Sequence, residues 1–265
     1  MPLTPLFDPG QRGRTMRVAA FMSGSGTNII KLIEREKALQ AREGASPFEV
    51  VFIFSDRSDG ACRGEEIACN NGIPYFSYDI RAFHRSRGLK RTVATPEGLA
   101  ARKAFDRVAQ KLVTAFGADV LALGGYMSYI TLNRCINVHP ADLSILTPEG
   151  QRKYVGDQAV LDAIAGGETS LRSSTLWTDE GVDTGPLLMV SEPLKVALHE
   201  PLDLLLKNKE RLIRLCDDHQ EHLKEIGDWQ IFPETVEMIA RGRFAIDENQ
   251  RVFVDGRPVP QGSRE

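Results

Sequence analysis

Val18-Ala-Ala-Phe-Met22 is an unbroken apolar run of strand length, followed by the polar, glycine-rich Ser23-Gly24-Ser25-Gly26-Thr27-Asn28 and then by an apolar stripe at Ile29, Ile30, Leu32 and Ile33. A run apolar on both faces suits a parallel strand covered by helices, and the stripe suits the helix that covers it. The alternation recurs along the chain. Residues 48–54 read as a second strand, residues 61–70 as a helix and residues 74–76 as a short strand. Thr95 followed by Pro96 reads as an N-cap and first helical position, opening a helix that runs to Phe116. Residues 118–123 form another buried-type strand. These repeated βαβ units predict an α/β fold with an open, mostly parallel sheet flanked by helices.

Beyond residue 135 the pattern shortens. A strand at Cys135–His139 ends at Pro140, a helix spans 157–165 up to Gly166-Gly167, and strands span 171–177 and 187–190. From His199 to Glu225, Leu202, Leu205, Leu206, Leu212, Leu215 and Leu223 recur at near-helical spacing among alternating charges. That is an amphipathic helix, broken once, fit for core packing or a homodimer contact. A last helix over 234–241 and a β-hairpin around Asp247-Glu-Asn249 close the chain. Residues 1–15 read as a flexible N-terminal extension and residues 16–265 as one domain.

Composition narrows the function classes. Of 265 residues, 42% are hydrophobic and 26% charged, and the net charge is −3. That balance provides no bulk electrostatic case for nucleic acid or membrane, and leaves small-molecule chemistry as the default. No apolar run approaches the roughly 18 residues of a spanning helix, and residues 1–15 lack an apolar signal core, so a cytoplasmic protein is expected. Cys62, Cys69, Cys135 and Cys216 form no C-x-x-C pair, which points away from zinc or a disulfide framework. The one local charge excess is His84, Arg85, Arg87, Lys90 and Arg91, which reads as a solvated helix start or as a patch for an anionic substrate.

Two stretches carry candidate chemistry. In Cys135-Ile-Asn137-Val-His139-Pro140 the alternation sends Asn137 and His139 to one face at a strand end, where open α/β sheets hold their ligands. Taken alone, N-x-H-P is equally compatible with two structural side chains. The second stretch is Gly24, Ser25, Gly26, Thr27 and Asn28: exposed backbone N–H groups backed by a helix dipole suit a phosphate. A dinucleotide fingerprint needs glycine at position 29, where this chain has Ile29, and no Gly-Lys-Ser/Thr follows for a P-loop. A plain tight turn remains the structural alternative. Asp56, after the second strand, reads as a solvated loop residue.

Asn137-Val-His139-Pro140, followed by Asp183-Thr-Gly185-Pro186, resembles the signature of the folate-dependent formyltransferases, above all those that formylate phosphoribosylglycinamide in purine biosynthesis. Met16–Asn28 looks like the family's opening strand and phosphate loop, Leu123-Gly-Gly-Tyr126-Met127 like its folate-side strand end, and Arg241–Phe244 with Val254–Gly262 like its close. The resemblance implies a Rossmann-like formyltransferase fold with 10-formyltetrahydrofolate as co-substrate and no metal. It implies a catalytic set of Asn137, His139 and Asp183, in which Asp183 orients His139 and raises its pKa by opposite charge. Folate would lie along Gly125, Tyr126, Met127 and Tyr129, and Asp228 would take the ribose hydroxyls. The chain departs from the family pattern at four places: Ser128 stands where an Arg usually follows the Met, Leu176 where a His often precedes the acid, Asp228 where a Glu is usual, and residues 141–150 are inserted after His139. Another amine acceptor such as an amino-sugar nucleotide, hydrolysis of 10-formyltetrahydrofolate, and a non-catalytic folate-binding module are the alternatives.

Overall fold

A computed structural model of the chain describes residues 2–264. In chain order the elements are β1 (Thr4–Pro5), α1 (Pro9–Arg12), β2 (Met16–Met22), α2 (Thr27–Glu43), β3 (Phe48–Ser55), α3 (Gly64–Asn71), β4 (Tyr75–Ser77), α4 (Ile80–Arg85), α5 (Pro96–Phe116), β5 (Val120–Leu123) and β6 (Cys135–His139). Then follow α6 (Ala159–Ala165), β7 (Ser170–Leu171), β8 (Ser174–Trp177), β9 (Leu187–Val190), β10 (Leu194–Lys195), α7 (Leu202–Leu205), α8 (Lys209–Leu223), α9 (Trp229–Ala240), β11 (Phe244–Ile246), β12 (Val252–Val254) and β13 (Arg257–Pro258). The main sheet has strand order β4-β3-β2-β5-β6-β8-β9. Its first five strands are parallel, while β8 and β9 are antiparallel. This is the α/β, mostly parallel architecture that the apolar runs predict.

The chain divides into two compact units, one of residues 6–137 and 236–242, the other of residues 1–5, 138–235 and 243–265. The boundary falls inside β6, between Asn137 and Val138, where one continuous domain was expected. In the first unit Phe21, Phe52, Phe54 and Phe105 pack with Leu121, Leu123 and Cys135. Each such fully buried side chain contributes about 1.5–3 kcal/mol relative to exposure. Thr95 caps α5 as expected: its Oγ1 accepts from Gly98 N at 3.1 Å, and Pro96 opens the helix. In the second unit α6 and α8 pack Val160, Ile164, Leu212, Leu215 and Leu223 against Leu176 and Leu187. The amphipathic stretch therefore serves a core.

Several expectations change. Residues 2–15 are not loose: Thr4 and Pro5 pair with Ile246 and Ala245 of β11, Phe7 is 4% exposed, and Arg14 binds Asp119 through two hydrogen bonds of 2.7 and 3.0 Å. An apolar side chain and a forked ion pair secure a segment whose composition alone reads as tail. The strand expected over 171–177 breaks into β7 and β8, because β7 pairs with β10 instead. The last helix starts at Trp229 and tolerates Pro233 after a widened π-helical turn over Lys224–Asp228, the kind of irregularity that accommodates a proline. His84, in the basic run, is buried with Nδ1 on the Ile80 carbonyl at 2.8 Å, so that residue is a packing element of α4.

Candidate active site

Parallel register places the candidate residues of the first unit. Leu123 lies opposite Asn137, so β5 ends level with the half-buried amide of Asn137. At the end of β2 the chain turns through Gly24–Gly26 into α2. Gly26 is the N-cap residue, with φ of +70° and no side-chain cap, and a Cβ there would lie 2.3 Å from the Met22 methyl. Only glycine fits that turn without strain. The first intrahelical bond runs from Ile30 N to the Gly26 carbonyl, so the N–H groups of Thr27, Asn28 and Ile29 face outward from the helix end. Asn28 is 9% exposed, and its Oδ1 is buried without a partner.

The strand end after β5 abuts this loop. A Cβ on Gly124 would lie 2.4 Å from Ile29 and 3.2 Å from Asn28, so the missing side chain is what lets the two segments meet. Gly125, with φ of +76°, accepts from Ser23 N at 3.0 Å. Met127 N donates to Ser23 Oγ at 3.0 Å, and Ser23 Oγ donates to Asp56 Oδ1 at 2.7 Å. Ser128 Oγ donates to the other Asp56 oxygen. Asp56 is thus a buried clasp, not the solvated loop residue expected, because β2, β3 and the 125–128 loop converge on it. Tyr126 turns inward, its hydroxyl accepting from Arg102 Nη2 at 3.0 Å, and burial pushes its pKa up. Met127 is left 69% exposed and Tyr129 half-buried. Of the expected folate contacts, Gly125 and Met127 are exposed, whereas the Tyr126 side chain is a packing group.

The second unit holds the titratable pair. His139, at the end of β6, is 6% exposed, and its Nδ1 lies 3.5 Å from Asp183 Oδ2. Its Nε2 is buried without a partner. Asp183 sits in the β8–β9 connection at φ of +53°, a left-handed conformation that costs a non-glycine residue about 1 kcal/mol. Gly156 N donates to Asp183 Oδ2 at 2.9 Å, and Arg152 donates to the carbonyls of Asp183 and, at 2.6 Å, Gly185. Sequence reasoning named neither.

Asp183 raises the His139 pKa as expected, but a larger effect opposes it. Burial lowers the His139 pKa below its ordinary value, and this outweighs the raising effects of Asp183, the Tyr154 carbonyl and Asp157; Arg152 adds to the lowering. The imidazole therefore favours its neutral form at neutral pH. With Nδ1 facing Asp183, the natural tautomer leaves Nε2 as the free base. Asp228 also departs from expectation. It is buried in the π-helical turn with Oδ1 accepting from Ser173 Oγ at 2.5 Å, so it ties that turn to the residue before β8 instead of presenting a free carboxylate to a ribose. No group of three or more His, Cys, Asp or Glu side chains suited to a metal occurs among the described residues. No helix among them is long and apolar enough to cross a membrane.

Comparison with known proteins adds the following. A family model described as formyl transferase matches residues 16–206. The trifunctional purine biosynthetic protein adenosine-3 of Chironomus tentans is 27% identical over 180 residues, which is 65% of this chain but 11% of that much longer relative. A phosphoribosylglycinamide formyltransferase of Mycobacterium tuberculosis is 27% identical over 187 residues, covering 68% of this chain and 71% of its own. Among solved structures, the phosphoribosylglycinamide formyltransferase of Coxiella burnetii superposes with a TM-score of 0.64 at 25% identity, covering 95% of this chain and 99% of that one.

Proposed function

The chain belongs to the formyl transferase family, and from that premise we propose that it transfers the formyl group of 10-formyltetrahydrofolate to the primary amine of 5'-phosphoribosylglycinamide. The observation that carries the reading is the His139 imidazole: its Nδ1 faces Asp183, while its buried Nε2 is unpartnered. A binding module has no use for such a base.

In this reading the acceptor phosphate takes the outward N–H groups of Thr27 and Asn28, with Gly24, Ser25 and Gly26 shaping the turn. The pterin and its formyl-bearing nitrogen lie along Gly125 to Tyr129. The amine attacks the formyl carbon; the carbon–oxygen π pair moves to oxygen, which the Asn137 amide stabilises by donating a hydrogen bond. His139 Nε2 accepts the proton the amine sheds, and Asp183 supports the resulting imidazolium. That proton then passes to the tenth nitrogen of the folate as the oxygen's electron pair re-forms the carbonyl and the carbon–nitrogen bond breaks, which releases tetrahydrofolate and the formylated amine. His139 thus begins as a base and ends as an acid. The chemistry as written uses no metal.

The test is the absorbance change on deformylation of a stable 10-formyl folate analogue, with and without phosphoribosylglycinamide. Acceptor-dependent turnover is expected, reduced at least about a hundredfold in His139→Ala while the analogue still binds. Turnover without acceptor would make the protein a hydrolase. Turnover only with other amines would move the acceptor, beginning with amino-sugar nucleotides.

A further inference from the structure

Arg152 has a role that the scheme above does not use. It ends a small hairpin after His139, in which Leu146 bridges to Arg152 and Lys153 N donates to the Ile145 carbonyl at 3.0 Å. From there its guanidinium spans two carbonyls of one turn, those of Asp183 and Gly185. The turn is tightly constrained: Asp183 has φ of +53°, and a Cβ on Gly185 would lie 2.0 Å from the Trp177 carbonyl. Gly156 N holds Oδ2 of the carboxylate, the same oxygen that faces His139. A planar fork of donors can hold two carbonyls at once, which a single ammonium does not reproduce.

We propose that Arg152 is a positioning residue: by holding the Asp183 and Gly185 carbonyls it keeps Asp183 in the left-handed conformation that turns its carboxylate to His139. The proposal rests on His139 and Asp183 acting as described above. Its charge is not the useful property. Of the groups acting on His139, Asp183, Asp157 and the Tyr154 carbonyl favour the imidazolium, while Arg152 and burial oppose it. What Arg152 contributes is geometry, and Arg152→Lys isolates that by keeping the charge.

In the full chain, Arg152→Lys should lower kcat about tenfold to a hundredfold, with both KM values within about threefold of wild type. In an Asp183→Asn background it should cause no further loss, because the two residues act as one unit. Equal losses in both backgrounds would overturn the proposal. A raised acceptor KM at unchanged kcat would do the same, by making Arg152 a phosphate contact. A wild-type protein inactive with every acceptor would defeat the functional reading alone. The positioning role would then be read from the His139 titration in nitrogen-15 imidazole spectra. Arg152→Lys should move it to lower pH, as the support of Asp183 is lost, and should leave it in place when Asp183 is already Asn. An unmoved His139 in the single variant would sink the idea.

Discussion

His139 is where residue-scale forces compete most openly. The resemblance implies that Asp183 raises the His139 pKa by opposite charge, yet taking the ring out of water costs the charged form more than one carboxylate 3.5 Å away restores. A histidine ordinarily titrates near ~6.5, and here the folded value lies lower. As pH falls, the unfolded chain therefore binds the proton first. The stability tied to the neutral ring is complete above the ordinary value and is lost as pH drops through the lowered one. His139→Gln removes that dependence. Its thermal midpoint should fall less than that of wild type between about pH 7.5 and about pH 5.5; parallel falls would mean that the ring is not held neutral by the fold. At this scale the candidates could be named from the sequence, Asn137 and His139 by alternation, the Gly24–Asn28 loop by glycine placement and Asp183 by resemblance, and His139 and Asp183 do face each other. The protonation of His139 could not be read there, because it depends on burial and on neighbours such as the Tyr154 carbonyl and Arg152 that no local pattern names.

At the scale of elements, local signals did well wherever local chemistry decides the outcome. The Thr95-Pro96 start of α5 is a case in point, since a cap bonds within three residues of itself. Thr95→Ala should cost about 1 kcal/mol of stability in urea unfolding, without change in the slope. A neutral result would mean that the start of α5 is held by packing alone. Elements fared worse where the partner is distant. The split of residues 170–177 into β7 and β8 reflects pairing with β10, more than twenty residues on, and the π-helical turn before α9 lies where Asp228 is engaged by Ser173. Asp56 belongs here as well: as a loop residue after a strand it looks solvated, until three elements converge on its carboxylate.

The whole molecule is organised differently from a tail plus one domain. The division into two compact units falls within β6, and the N-terminal residues belong to both units, Thr4 and Pro5 to one and Phe7 onward to the other. Phe7→Ala therefore tests the organisation directly. A docked segment should lose about 3 kcal/mol, as for other buried Phe side chains, whereas a loose one would lose nothing measurable in the same denaturation experiment.

Hydrophobic periodicity and glycine placement determined by themselves the α/β class and the tight turn from β2 into α2, and the resemblance of the N-x-H-P and D-x-G-P motifs to a family signature marked the candidate side chains. These are short-range properties, in which a residue's own conformational limits or its spacing to neighbours carries the information. Only the tertiary structure decided that residues 2–15 are docked, that Asp56 is a clasp, that Asp228 ties a helical turn to Ser173, that burial lowers the His139 pKa, and that Arg152 bonds the Asp183 carbonyl. Each of these depends on burial and on bonds between residues far apart in the chain, and such energies exist only once the backbone has brought those groups together.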